Sequence, residues 1–131
     1  KDLMEIRFLI EPSIAAMAAI RADETDIKNI LTACENTEKL LLANKNHAEK
    51  DIAFHTAIAL SSKNIVVPKL VPIINSSIPL IRESAKFTMR DETIEIHREI
   101  ADAIAAHDAV RAHDAMYLHL IYNRKHIKSI N

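Results

Sequence analysis

Glycine is absent from all 131 residues. Tight hairpins and positive-φ turns depend on glycine more than on any other residue, so the sequence argues against an all-β fold. A chain without glycine also has no Walker-type or dinucleotide-binding phosphate loop, which removes support for nucleotide-dependent chemistry. Cysteine occurs once, as Cys34, so an internal disulfide and a cysteine-rich zinc module are excluded and a reducing, cytoplasmic compartment is expected. Among Ile30, Leu31 and Thr37, that cysteine reads as a packing thiol and not a nucleophile. Neither sign of charge dominates. Seventeen Lys and Arg against 18 Asp and Glu give a net charge of −1, so there is no bulk cationic field to neutralise a nucleic-acid backbone. If the protein acts on DNA, another segment must hold it. No apolar run approaches the roughly 18 residues of a membrane span, and no secretory signal precedes the first periodic segment. Since the chain opens on Lys1, it reads as a piece of a longer protein. Two further motifs are missing: His-Glu-x-x-His of zinc proteases and Glu-x-x-His of ferritin-like di-iron bundles.

With 49% hydrophobic and 27% charged residues, the chain has the composition of one soluble globular domain. Its apolar residues recur at three and four, which predicts six helical segments. The first runs from Leu3 to Arg21 with Leu3, Ile6, Ile10, Ile14 and Met17 as its stripe, and Pro12 should kink it. Asp23 or Thr25 caps a second helix ending near Asn44, and Asn46 caps a third running to Ser61. Ser62-Lys63-Asn64 breaks the chain before a fourth, bent segment from Ile65 to Phe87 that contains Pro68, Pro72 and Pro79. This segment is apolar on several sides, which suits deep burial or a subunit interface. Helices from Asp91 to His107 and from Ala109 to Ser129 close the chain as antiparallel neighbours. The expected architecture is all-α, an antiparallel six-helix bundle enclosing a central metal or ligand pocket.

Four polar side chains fall on apolar stripes. Asp51 and His55 project from one face of the third helix in line with Ala48, Ile52, Ile58 and Ala59. His97 lies between Ile94, Ile100 and Ile104, and His119 follows Ala112, Ala115 and Met116. Buried polar groups without partners cost roughly 1 to 3 kcal/mol each, so these four need one another or a common ligand. One inward histidine is most often a hydrogen-bonded core residue. Three on three helices, with a carboxylate, form a donor set for a divalent metal: zinc first, with nickel, iron, cobalt or manganese as alternatives. The remaining histidines, His47, His107, His113 and His126, read as solvated.

The order of these segments resembles the FCD ligand-binding domain, the C-terminal half of FadR-type regulators in the GntR transcription-factor family. The likeness rests on Glu5-Ile6-Arg7-Phe8-Leu9-Ile10-Glu11-Pro12, Ala18-Ala19, Asp51-Ile52-Ala53-Phe54-His55, Asn64, His97-Arg98-Glu99-Ile100, Ala103-Ile104 and Asp108, then Ala112, Met116 and His119. It spans nearly all of residues 1–131, and six segments favour the shorter, VanR-like branch. The resemblance implies a metal held by Asp51, His55, His97 and His119 beside a small organic acid. It also implies Arg7 and Arg82 as pocket cations, whose guanidinium forks suit a carboxylate. Family members often carry glycine where this chain has Lys63. The winged helix-turn-helix that would bind an operator is absent from this chain. The expected function is effector sensing and homodimerisation in a bacterial regulator, without turnover and without a membrane, with DNA bound only through the missing domain. The rival reading is a metal-dependent hydrolase or lyase acting on a small organic acid, although Glu95 and Glu99 should face away from His97. A third is a structural helical module with a polar core.

Overall fold

The computed structural model describes residues 2–76 and 90–126. Arg82 and Pro79 lie outside the described residues. Among the described residues there are six helices and no strand: α1 Asp2–Arg21, α2 Glu24–Leu42, α3 Ala48–Ser61, α4 Val67–Asn75, α5 Arg90–Ala105 and α6 Ala109–His126. α1 packs most extensively against α6, α2 lies between α3 and α5, and α4 leans on α3 and α1. The core is continuous from Ile14, Ala15 and Ala18 of α1 through Ile30 of α2, Phe54 and Ile58 of α3, and Ile100 and Ile104 of α5 to Met116 of α6. Alanines at 15, 18, 103 and 112 are fully buried and let these helices approach closely.

The helix ends follow from local chemistry. Asp23, not Thr25, caps α2: its Oδ1 accepts from the Asp26 amide at 2.8 Å, and Asp26 Oδ2 accepts from the Asp23 amide at 3.0 Å, a reciprocal capping box. At α3 the cap position is His47, without a side-chain cap bond, while Asn46 Oδ1 takes the Ala48 amide at 3.0 Å. Asn64 Oδ1 accepts from the Val66 and Val67 amides at the entry to α4, where Pro68 occupies the first turn.

Three helices end on a residue in the left-handed region: Asn44 at φ 55°, Lys63 at 59° and His107 at 57°. Glycine is the usual choice there because a Cβ is disfavoured. After α2 and α5 the flanking amides close Schellman-type turns, with Lys45 N–H donating to the Leu40 carbonyl and Asp108 N–H to the Ala103 carbonyl. After α3 a hydroxyl is interposed: the Asn64 amide donates to Ser62 Oγ, which donates to the Ala59 carbonyl.

Several expectations need correction. α1 continues through Pro12, so the proline does not restart the helix. Its buried stripe is Met4, Arg7, Glu11, Ile14 and Ala18, whereas Ile6 is 44% and Leu9 68% exposed. Of the expected stripe, Ile14 is buried in the core and Ile10 and Met17 pack against it, whereas Ile6 lies outside; the inward face also takes in Arg7 and Glu11, two charged positions. His47 is buried, not solvated, and its Nδ1 lies 3.3 Å from the Lys45 carbonyl. His107 is exposed at the end of α5, yet its Nδ1 donates to the Ala19 carbonyl at 2.9 Å. α4 buries one face, Val67, Val71 and Ile74, and leaves Ile73 and Val66 outside.

The burial pattern of α1 predicts different outcomes for two truncations. Ile14→Ala should cost about 2 to 5 kcal/mol in urea unfolding. Leu9→Ala, measured at concentrations that keep the chain monomeric, should change stability by less than about 0.5 kcal/mol. The reverse ranking would place the core on the other face of α1.

Candidate metal centre

Asp51 and His55 lie one turn apart on α3, so their side chains leave the helix in the same direction. His97 of α5 and His119 of α6 point at the same place, and all four residues are buried. One nitrogen from each of His55, His97 and His119 falls within 4.8 Å of the others. Asp51 Oδ1 is 3.4 Å from His97 Nε2 and 3.9 Å from His55 Nε2. Donors around a metal at about 2.0 to 2.2 Å stand roughly 3 to 4 Å apart, so the aspartate and two imidazoles already have the spacing of a shared ligand shell. The rings are close but not stacked flat: His97 and His119 centroids are 5.1 Å apart at 58°, and Phe54 covers His97 at 4.9 Å.

A second buried layer comes from α1. Arg7 is completely buried, Glu11 is 4% exposed, and Arg7 Nε donates to Glu11 Oε2 at 2.5 Å. The other oxygen of Glu11 meets His55 Nδ1 at 3.2 Å. Burial raises the pKa of Glu11, but the Arg7 charge and the His55 hydrogen bond outweigh it, so the carboxyl is held below its ordinary value. Three imidazoles and a carboxyl group are donors that suit a transition metal and not calcium or magnesium.

The three expected histidines are thus brought together, and Asp51 lies beside two of them, His97 and His55. Arg7 is buried beside them, but its Nε is engaged by Glu11, while Arg82 lies outside the described residues. Sequence reasoning missed Glu11 as a site residue. Its signal was available in the Arg7-x-x-x-Glu11 spacing, which continues the Met4–Ile14–Ala18 stripe. Asn123 was also missed; its Nδ2 is 3.5 Å from His119 Nε2. On the α4 side of His55 lies a small cavity, with room for about one water-sized group. It is walled by Ile58, Val71, Ile74 and Met116, with Glu11 and Asn75 as its further polar members. Among the described residues, Asn75 Oδ1 is buried without a hydrogen-bond partner.

The model of the FCD domain family matches residues 2–121. The chain belongs to the FCD domain family. The FCD match includes Arg7, Glu11 and every candidate metal ligand. Among curated proteins the chain is similar to the HTH-type transcriptional regulator LutR of Bacillus subtilis, 30% identical over 92% of this chain and 58% of that protein. It is 29% identical to the uncharacterized HTH-type transcriptional regulator YcbG of the same organism, over 95% of this chain and 53% of YcbG. To the putative L-lactate dehydrogenase operon regulatory protein of Escherichia coli it is 34% identical, over 92% and 48% of the two chains. The solved structure titled Streptococcus agalactiae GntR superposes with a TM-score of 0.82 at 35% identity, covering 95% of this chain and 57% of that one. This FCD chain therefore spans about half the length of the relatives it matches.

The surroundings of the site are structural. Glu99 faces away from His97 and is gripped by Arg111, whose Nε and Nη2 each lie 2.7 Å from one carboxylate oxygen, joining α5 to α6. Cys34 is buried on α2, and desolvation, reinforced by Glu38, pushes its thiol up to about 11. Since the thiolate is the reactive form, an aromatic disulfide reagent at pH 8 should label native Cys34 far more slowly than the urea-unfolded chain. Equal rates in the two states would show that the thiol is accessible and ionised.

Proposed function

We propose that this FCD chain is the effector-sensing and dimerising part of a GntR/FadR-type bacterial transcription regulator, with a metal-centred pocket for a small carboxylate. The observation that carries the reading is that nitrogens of His55, His97 and His119, from three helices, lie within 4.8 Å of one another in the interior, with Asp51 Oδ1 3.4 Å from His97 and 3.9 Å from His55. Zinc is the metal placed first, and nickel, iron and manganese suit the same donors. A bound divalent cation would supply a fixed positive charge for an effector carboxylate. Four protein donors leave a position open for it in a five- or six-coordinate shell.

The chain's own residues shape the rest. Asn75 offers an amide oxygen in the cavity beside His55, where a donor such as an effector hydroxyl would be satisfied. That chemistry agrees with the name of the relative tied to the L-lactate dehydrogenase operon. Arg7 carries five N–H donors and can share its fork between Glu11 and an effector oxygen, with Arg82 as a second cation. Regulation would follow from differential affinity. An effector that contacts this pocket better in one arrangement of the domains shifts the population, and the winged helix-turn-helix domain outside this chain moves with it in the cytoplasm. The named relatives are transcription regulators and the site lacks Glu95 and Glu99, so turnover is not part of the proposal.

The homodimer is supported by apolar residues left outside the core. Ile6, Leu9 and Ile20 on α1, Ile73 on the adjacent α4 and Val66 at its N-cap are each between 44% and 68% exposed. An apolar face of this kind marks an interaction surface.

Two measurements test the reading. Zinc titration by calorimetry should show His97→Ala and His119→Ala each losing more than the roughly 10- to 100-fold that removal of an outer-shell partner costs; wild-type zinc content in both variants removes the site. In sedimentation equilibrium, Leu9→Asp combined with Ile73→Asp should convert dimer to folded monomer. A dimer that persists with unchanged affinity places the interface elsewhere. Steady turnover of a small acid by the purified chain would favour the hydrolase or lyase reading instead.

A further inference from the structure

The structure assigns Glu11 as a positioning residue that fixes the tautomer of His55, so that α1 sets the metal-binding geometry of a histidine on α3. This rests on the metal reading above. A neutral imidazole carries one N–H and one lone pair, and its surroundings decide which nitrogen has which. His55 Nδ1 is 3.2 Å from Glu11 Oε1. An ionised carboxylate only accepts hydrogen bonds, so this contact selects the Nδ1–H form. The lone pair is then left on Nε2, the nitrogen that lies 3.9 Å from Asp51 Oδ1. The contact with Glu11 therefore turns the donor atom of His55 toward the other ligands.

Glu11 is itself held. Arg7 Nε grips its second oxygen, and both side chains are buried in the same stripe of α1 as Ile14 and Ala18. The result is a chain from Arg7 to Glu11 to His55 that crosses between two helices. Outer-shell carboxylates of this kind orient a metal-binding imidazole and raise its basicity. His119 Nε2, by comparison, has a neutral amide, Asn123 Nδ2, at 3.5 Å. Arg7 accordingly acts on the site through Glu11, in addition to any contact it makes with an effector. Because binding energies are reciprocal, whatever tightens His55 on a metal also tightens α1 against α3.

The test reads tautomer and affinity separately. Long-range ¹H–¹⁵N spectra of the metal-free chain at pH 8 should show His55 protonated on Nδ1 in the wild type and in Glu11→Gln, whose amide oxygen still accepts. Glu11→Ala should give a mixture or the opposite form. Competition with a chromophoric chelator should then show zinc affinity reduced about 10- to 100-fold in Glu11→Ala and by less in Glu11→Gln. Arg7→Met combined with Glu11→Ala removes both buried charges and replaces Glu11→Ala if the latter does not fold; the same two changes are expected of it. Protonation of Nε2 in the wild type, or wild-type zinc affinity in a folded variant without Glu11, overturns the assignment. A wild-type chain that binds no zinc while His55 keeps the expected tautomer would sink the metal reading and the claim that Glu11 serves it, leaving only the hydrogen bond.

Discussion

Charge compensation in an apolar interior constrains this fold more than any other requirement. Asp51, Glu11 and Arg7 are buried with three imidazoles among Phe54, Ile58, Ile100 and Met116. An ion moved from water into such surroundings loses several kcal/mol of solvation unless a partner replaces it. Arg7 and Glu11 answer one another. Asp51 faces His97 and His55 instead. The two halves of the cluster therefore differ in kind: one is an ion pair that also meets His55, and the other is an acidic side chain among imidazoles, a donor set suited to a cation. The bridge between them is His55, with one nitrogen on each side.

Such a cluster needs helices whose relative positions do not drift, and the glycine-free turns supply part of that rigidity. Each of the three left-handed residues uses a side chain that glycine lacks. Lys63 Nζ reaches Asp26 at 2.6 Å and Asp23 at 3.5 Å, tying the end of α3 to the start of α2. His107 binds the Ala19 carbonyl, tying the α5–α6 turn to α1, and Asn44 Oδ1 accepts from Arg90 at 3.4 Å at the start of α5. Arg21 adds a bond from α1 to the Ser62 carbonyl. The backbone cost of a Cβ in this region, on the order of 1 to 3 kcal/mol, is set against contacts between elements that carry the candidate ligands. The lysine at position 63 is thus more than a tolerated replacement for glycine.

How much of this was legible depended on whether polar residues had apolar neighbours in register. On α3, α5 and α6 the histidines lie in stripes still marked by isoleucine, alanine and methionine, so their inward direction could be read. On α1 the charged pair Arg7 and Glu11 occupies two of the inward positions, and Ile6, Leu9 and Ile10 form a second apolar track beside them. A reading by hydrophobicity finds Ile14 with its partly buried neighbours Ile10 and Met17, counts the exposed Ile6 as inward and passes over the charged pair. Burial of Arg7 and Glu11 depends on their finding each other and His55, which is a tertiary fact. His47 was misjudged for a similar reason: a histidine at a helix start has no periodic neighbours to show that the turn folds inward. The fold class was legible because it needs only the period, and each described helix overlaps one of the six expected segments, although the expected span of the fourth, Ile65 to Phe87, runs beyond the described residues.

The same burial pattern gives α1 two working faces. Inward, Arg7 and Glu11 meet His55; outward, Leu9 and Ile20 stand in solvent beside the exposed residues of α4. A helix is stiff along its axis, so a shift that serves one face is delivered to the other within a single element, with no longer relay required. The displacement needed is small, because a 3.2 Å hydrogen bond weakens steeply when it is lengthened or bent. If the outward face of α1 is where two chains meet, a change at His55 reaches the interface through one turn of helix, and association of two chains acts back on the orientation of His55 by the same free energy. That reciprocity follows from the placement of Glu11 and Leu9 on opposite sides of one rod.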